Sequence, residues 1–273
     1  MREEIKNYYH DGYLKVKNYF SVDEVTSLNN YIDNLPPVMF IPYSNFVPWG
    51  YGNLINNDRL HEIINLENIK RYTKSFLTEG NPICNHVYVV DKAAFIGPDV
   101  EYHQEFFNIN TYAPGYSADK NLDNFLQLFI ALDDHTLENG PLYVFKGSHK
   151  EGLLDHEDMI SPNLKHKRRV TYRELHRISN KYPLEPVLLK KGDALFFNHL
   201  IVHGSPTNCS RLRRRAFLLQ FRIDSLKKDN KLFEEEENYR SQYVINECSN
   251  IQDKLSNSSI YRSSFEGNND QKS

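Results

Sequence analysis

Two short stretches of this chain carry residue types that could hold a metal together. The first is Tyr102-His103-Gln104-Glu105, and the second ends in His199-Leu200-Ile201-Val202-His203. On an extended backbone, side chains two residues apart point the same way, so His103 and Glu105 are expected on one face and Gln104 on the other. Two imidazoles and one carboxylate form the facial ligand set of non-haem iron(II) sites, which leaves three metal positions open for chemistry. A lone His-x-Glu pair is also an ordinary surface feature of a strand, so the second histidine decides the matter. His203 stands at a strand end before Gly204-Ser205, and His199 shares its parity and is the rival ligand.

A third stretch supplies a cation. In Arg211-Leu212-Arg213-Arg214-Arg215-Ala216-Phe217-Leu218-Leu219-Gln220-Phe221, alternation puts Arg213, Arg215, Phe217, Leu219 and Phe221 on one face. Arg214, Ala216, Leu218 and Gln220 share the other face, which suits a polar barrel interior with Arg214 pointing in. A guanidinium there fits a carboxylate through a bidentate fork. Arg211, Arg213 and Arg215 read as a solvated cluster at the strand start.

These groups need a scaffold, and the sequence describes one. Helices are expected over 2–10, from Ser21 to the Pro36-Pro37 stop, and over about 66–78. Ser21-Val22-Asp23-Glu24 is a capping box, and the helix it opens carries Val22, Val25, Leu28, Ile32 and Leu35 at helical spacing. From residue 84 the texture becomes β-like: 84–90, 125–132, 142–145, 187–190, 194–202 and 216–223. Turn signals at Glu138-Asn139-Gly140-Pro141 and Lys191-Gly192-Asp193 separate several of these runs. Helices first and strands later predict an α+β fold. Residues 38–58 read as a long ordered loop around Trp49, and 150–186 as an insert with a basic run at 165–169 and a helix from about Thr171 to Ser179. Both are candidate lids.

Composition narrows the function classes. With 273 residues, 40% hydrophobic and 25% charged, the chain can build a core. The 18 Tyr and 16 Phe favour strands. A net charge of −3 argues against a nucleic-acid partner. Cys84, Cys209 and Cys248 are odd in number and unclustered, as expected of reduced thiols in a cytoplasmic protein. The N-terminal stretch lacks a signal-peptide core, and no apolar run approaches a membrane span. One domain is expected over 1–225, followed by a polar extension over 226–273 with a disordered end.

Taken in order, these motifs resemble the phytanoyl-CoA dioxygenase-like family of iron(II)/2-oxoglutarate-dependent oxygenases. The resemblance runs through Tyr102-His103-Gln104-Glu105, Ala131-Leu132-Asp133-Asp134, Glu138-Asn139-Gly140-Pro141-Leu142 and Gly147-Ser148-His149-Lys150. It continues in Gly192-Asp193-Ala194-Leu195-Phe196-Phe197, His203-Gly204-Ser205, Asn208 and Arg214-Arg215-Ala216. It implies a double-stranded β-helix, a jelly-roll barrel backed by the N-terminal helices. It implies iron(II) on His103, Glu105 and His203, with 2-oxoglutarate and O2 as cosubstrates. Arg214, eleven positions after His203, would bind the distal carboxylate with help from Ser205. Gln104, Asn208 and Phe129 are further cosubstrate candidates, and His149 is another residue that could face the site. The implied reaction is hydroxylation of a small-molecule metabolite, with release of succinate and CO2. Alternatives are a catalytically silent member that binds a ligand or partner, and a cupin-type metalloenzyme that does not use 2-oxoglutarate. The departure from the family pattern is Glu105, where relatives usually carry Asp.

Overall fold

Helix α1 (Arg2–Asp11) leads through Gly12 into strand β1 (Tyr13–Val16). Helix α2 (Val22–Asp33) starts at the expected cap: Ser21 accepts from the Glu24 backbone, and the Glu24 side chain reaches back to Ser21. Val25, Leu28 and Ile32 are its buried stripe, whereas Val22, in the first turn, is exposed. Helix α3 (Glu67–Phe76) buries Ile69, Tyr72 and Phe76, and α4 (Tyr172–Lys181) is capped by Thr171. This computed structural model describes residues 2–34, 40–44, 47–51, 63, 66–105, 125–158 and 168–223. Leu35, the Pro36-Pro37 stop, Cys248, most of the basic run and the extension after 226 lie outside them.

The remaining strands are β2 (Phe40–Ser44), β3 (Val47–Tyr51), β4 (Pro82–Lys92), β5 (Val100–His103), β6 (Phe125–Ala131) and β7 (Leu142–Phe145). They continue with β8 (His156–Asp158), β9 (Arg168–Val170), β10 (Leu184–Val187), β11 (Ala194–Phe197), β12 (His203–Ser205) and β13 (Arg214–Ile223). A major sheet runs β1-β11-β6-β13-β4-β3-β2 and a minor sheet β10-β7-β12-β5, while β8 and β9 form a separate hairpin. All pairings within these sheets are antiparallel. This is the double-stranded β-helix arrangement, backed by helices.

Two apolar layers follow from strand alternation. On the outer face of the major sheet, Val87, Val89, Leu126, Leu128, Phe196, Phe217 and Leu219 meet the stripes of α2 and α3. Tyr72 stacks on Phe196 with centroids 5.0 Å apart. On the inner face, Val90, Phe129, Ala131, Leu195, Phe197 and Ala216 pack against Leu142, Val144 and Val187 of the minor sheet.

Several boundaries differ from the sequence reading. The expected loop over 38–58 contains the β2–β3 hairpin, which extends the edge of the major sheet next to β4. The run at 187–190 is a strand three residues earlier, at Leu184–Val187, because β10 pairs with β7 there. The run over 194–202 stops at Phe197, which pairs with the first residue of β1 and is the last to pair with β6. Apolar residues continue past it because Leu200, Ile201 and Val202 are buried in the turn that carries the chain to the other sheet. Of the arginines expected in a solvated cluster, Arg211 and Arg213 are exposed, but Arg215 is buried and pairs with Asp133 and Asp33.

Candidate metal centre

His103 ends β5 and His203 begins β12, and the two are directly opposed across the strand pair. Their ring centroids are 4.3 Å apart. This tight approach requires Gly204, since a Cβ there would lie 2.8 Å from the Val100 carbonyl. Glu105 lies just past the end of β5 and not on it. Its Oε1 nevertheless sits 3.4 Å from His103 Nε2 and 3.5 Å from His203 Nε2. All three residues are buried, and their ligand atoms lie within 4.8 Å of one another. Of the residue pair weighed in the sequence, His203 joins the cluster. His199 sits in the turn after β11, where Nδ1–H donates to the Phe125 carbonyl at 3.3 Å.

The local hydrogen bonds prepare these groups for a cation. Each Nδ1–H donates to the carbonyl two residues earlier: His103 to Glu101 at 2.7 Å, and His203 to Ile201 at 2.9 Å. That fixes the tautomer and turns both Nε2 lone pairs toward the centre. Burial, and next the neighbouring His103 ring, push the His203 pKa down, which favours its neutral, ligating form. Burial alone would raise the Glu105 carboxyl, but the two imidazoles outweigh it and hold the pKa well below the usual range. Gln220 Nε2 donates to Glu105 Oε2 at 3.2 Å, leaving Oε1 for the centre. Two imidazole nitrogens and one carboxylate oxygen, buried and close together, fit iron(II).

Arg214 opens β13 on the inner face, as alternation predicts, and is 1% exposed. Its Nε and Nη2 both donate to the Gly140 carbonyl, at 3.1 and 2.7 Å. Gly140 is held there by a braced turn: Asn139 Oδ1 accepts from the Thr136 backbone, and Asn139 Nδ2 donates to the Asp134 carbonyl. Gly140 has φ +73°, and a Cβ would strike the Pro206 carbonyl at 2.4 Å. Arg213 pairs with Asp91, and Arg215 with Asp133. Among the described residues, no carboxylate comes within ion-pair distance of Arg214. Burial pushes its pKa down to about 10, so it stays charged near neutrality. Phe129 faces it across the same layer, 5.9 Å from the guanidinium carbon.

Ser205, two residues after His203, shares its strand face and is buried. Gln104 turns away as expected and is used up by the protein itself. Its Nε2 donates to the Gly152 and Leu200 carbonyls, and Oε1 accepts from the Leu154 backbone. Asn208 likewise bonds the Lys92 and Leu212 carbonyls and Ser210. His149 bridges to the Tyr9 carbonyl of α1 at 3.1 Å. These three side chains brace the loops around the centre.

Two inward residues were not singled out by the sequence reading. Gln220 carries a signal in hindsight, since it shares the parity of Arg214. Lys92 closes β4 opposite Arg214 and is fully buried, donating to the Ser205 and Pro206 carbonyls. Burial and the adjacent Arg214 push its pKa down to about 6. A mostly neutral amine donating to the carbonyls that follow His203 ties β4 to the end of β12.

Comparison with known proteins settles the family. The profile described as phytanoyl-CoA dioxygenase (PhyH) matches residues 8–216. The chain belongs to the phytanoyl-CoA dioxygenase family. The Dictyostelium discoideum phytanoyl-CoA dioxygenase domain-containing protein 1 homolog is 26% identical over 159 residues, 58% of this chain and 52% of that protein. The peroxisomal phytanoyl-CoA dioxygenase of Bos taurus is 22% identical over 236 residues, 80% of this chain and 67% of that protein. The chain thus spans about half the length of the first relative and two-thirds of the second. Among solved structures, EctD from S. alaskensis with 2-oxoglutarate and 5-hydroxyectoine superposes with a TM-score of 0.68 at 16% identity, covering 82% of this chain and 77% of that one. AviO1 from Streptomyces viridochromogenes gives 0.61 at 18% identity, covering 82% and 95%. At these identities the likeness establishes the fold. This family member also has no described helix long and apolar enough to cross a membrane.

Proposed function

We propose that this protein is an iron(II)- and 2-oxoglutarate-dependent dioxygenase that hydroxylates an unactivated C–H of a small-molecule metabolite, releasing succinate and CO2. One observation carries the reading: a fully buried Arg214, with no carboxylate partner among the described residues, shares the inner layer with a buried His103–Glu105–His203 cluster. An unpaired buried cation is costly, so the site calls for an anion as well as a metal. EctD structures with bound Fe and with 2-oxoglutarate support the same assignment. The unclustered cysteines and acidic balance are in keeping with a cytoplasmic setting.

Iron(II) with 2-oxoglutarate supplies oxidative decarboxylation coupled to C–H hydroxylation. The chain's own residues do the rest. His103 and His203 would hold the metal through Nε2 and Glu105 through Oε1. Gln220 fixes the free oxygen of Glu105, which stands in for the shorter Asp from a position beyond the strand end. Arg214 would take the distal carboxylate, with Ser205 beside it, and Phe129 and Leu218 keep water from that layer. Gln104 and Asn208 act by holding the surrounding loops. The test is anaerobic addition of iron(II) and 2-oxoglutarate. The expected result is a visible charge-transfer band, then succinate on admission of O2 with a substrate panel. Absence of both band and succinate would refute the assignment.

A further inference from the structure

One buried amide inside the barrel stands apart. Gln127 lies on β6 and is 1% exposed. Among the described residues, neither Nε2 nor Oε1 has a hydrogen-bond partner. Leaving an amide unpaired in an apolar layer costs roughly 1–3 kcal/mol, so a core position would sooner carry an apolar residue.

Its placement points to the metal. Alternation along β6 puts Gln127 on the inner face with Phe129 and Ala131, while Leu126, Leu128 and Ile130 face the helices. Across the sheet, Gln127 is paired with Phe197 of β11 on one side and Gln220 of β13 on the other. Both neighbours touch the cluster: the Phe197 ring lies 5.1 Å from that of His203, and Gln220 donates to Glu105. Gln127 is therefore the middle of a transverse row whose flanks contact two of the three ligands. Arg214 opens the inner row of β13 and Gln220 lies near its far end. The two amides thus mark the metal end of the interior and the guanidinium marks the other.

We infer that Gln127 is a positioning residue for 2-oxoglutarate, donating from Nε2 to the oxygens with which the keto acid meets the metal. The triad leaves three metal positions, and the keto acid brings oxygens that accept but do not donate. A primary amide can turn its two N–H donors toward them. Gln220 and Gln127 then divide the work, one orienting the protein's carboxylate and the other the cosubstrate's. The inference rests on the proposed function.

The test uses the full chain loaded with Mn(II) or, anaerobically, iron(II), titrated with 2-oxoglutarate by calorimetry and by the charge-transfer band. Gln127→Met keeps the length and drops both polar atoms. The expected result is an approximately ten-fold weaker 2-oxoglutarate affinity and a shifted band, with Mn(II) affinity in the absence of 2-oxoglutarate unchanged. The melting temperature of the metal-free variant should equal or exceed that of the parent, which a merely structural glutamine would not allow. Gln127→Glu, of the same shape, should weaken 2-oxoglutarate further by like-charge repulsion. An unchanged affinity and band in Gln127→Met overturns the inference. So does a loss explained by weaker Mn(II) binding, or a lower melting temperature with 2-oxoglutarate binding intact. Failure of the unmodified protein to bind 2-oxoglutarate overturns the proposed function and this inference together. Binding by the parent that is unaltered in the variants overturns the inference alone.

Discussion

The two faces of β13 show what separates a stabilising surface from a working one. Outward, Phe217, Leu219 and Phe221 are fully or nearly fully buried against the helices, and the arginines on that side find Asp33, Asp91 and Asp133. Each of these arginines is answered by a carboxylate. Inward, the same strand backbone carries Arg214, Ala216, Leu218 and Gln220. Among the described residues, Arg214 hydrogen-bonds only a carbonyl, and Gln127, toward the other end of the same face, has no hydrogen-bond partner. A chain selected for stability alone would have filled such positions with apolar residues. The unanswered groups lie on the face that also holds the ligand cluster, and they are most simply explained by molecules that arrive from outside.

Substitutions on each face can break that contrast. The largest effect is expected outside: Phe217→Ala should lower unfolding free energy by about 3–5 kcal/mol, read from a denaturant midpoint. A loss comparable to that of an exposed residue would mean that the outer layer is not the main core. Inside, Arg214→Met should weaken 2-oxoglutarate binding roughly a hundred-fold, as measured on Mn(II)-loaded protein, yet leave the empty protein at least as stable as the parent. A large drop in its melting temperature would make Arg214 a structural residue and erase the contrast.

The smallest effect concerns a surface cluster that serves as calibration. Lys181, Tyr182 and Arg177 hydrogen-bond Glu151 and hold its pKa down to about 2, tying α4 to the turn at Ser148–Glu151. Because the folded pKa lies below the ordinary value of 4.5, this stabilisation is present above 4.5 and fades as pH falls toward about 2. Glu151→Gln should remove only that acid-side slope from the melting profile. The slope should also shrink with salt, as expected of partners in contact with water.

Much of this was legible from the chain alone, for definite physical reasons. Strand alternation has a period of two, so the inward path of Arg214 and the outward path of Phe217 follow from their order. The capping box at Ser21 and the stripe Val25, Leu28, Ile32 are local and survived folding unchanged. The weaker inferences were those that depend on a partner. The hairpin at Phe40–Ser44 and Val47–Tyr51 carries two prolines and a glycine and reads as loop, until the edge of β4 gives it something to pair with. The strand expected to reach Val202 stops at Phe197, because apolar residues can be buried in a turn as well as in a sheet.

The sequence by itself determined which residues could bind a metal and an anion, since side-chain chemistry and spacing are properties of the chain. Only the tertiary structure decided between His203 and His199, because that choice depends on which histidine faces β5 across a strand pair. It alone showed that Glu105 reaches the cluster from beyond the strand and that Gln220 steadies it. It also separated polar side chains with the same composition and similar burial. Gln104 and Asn208 are satisfied, whereas Gln127 has no partner among the described residues, and hydrogen-bond satisfaction is fixed by distant neighbours that no local pattern encodes.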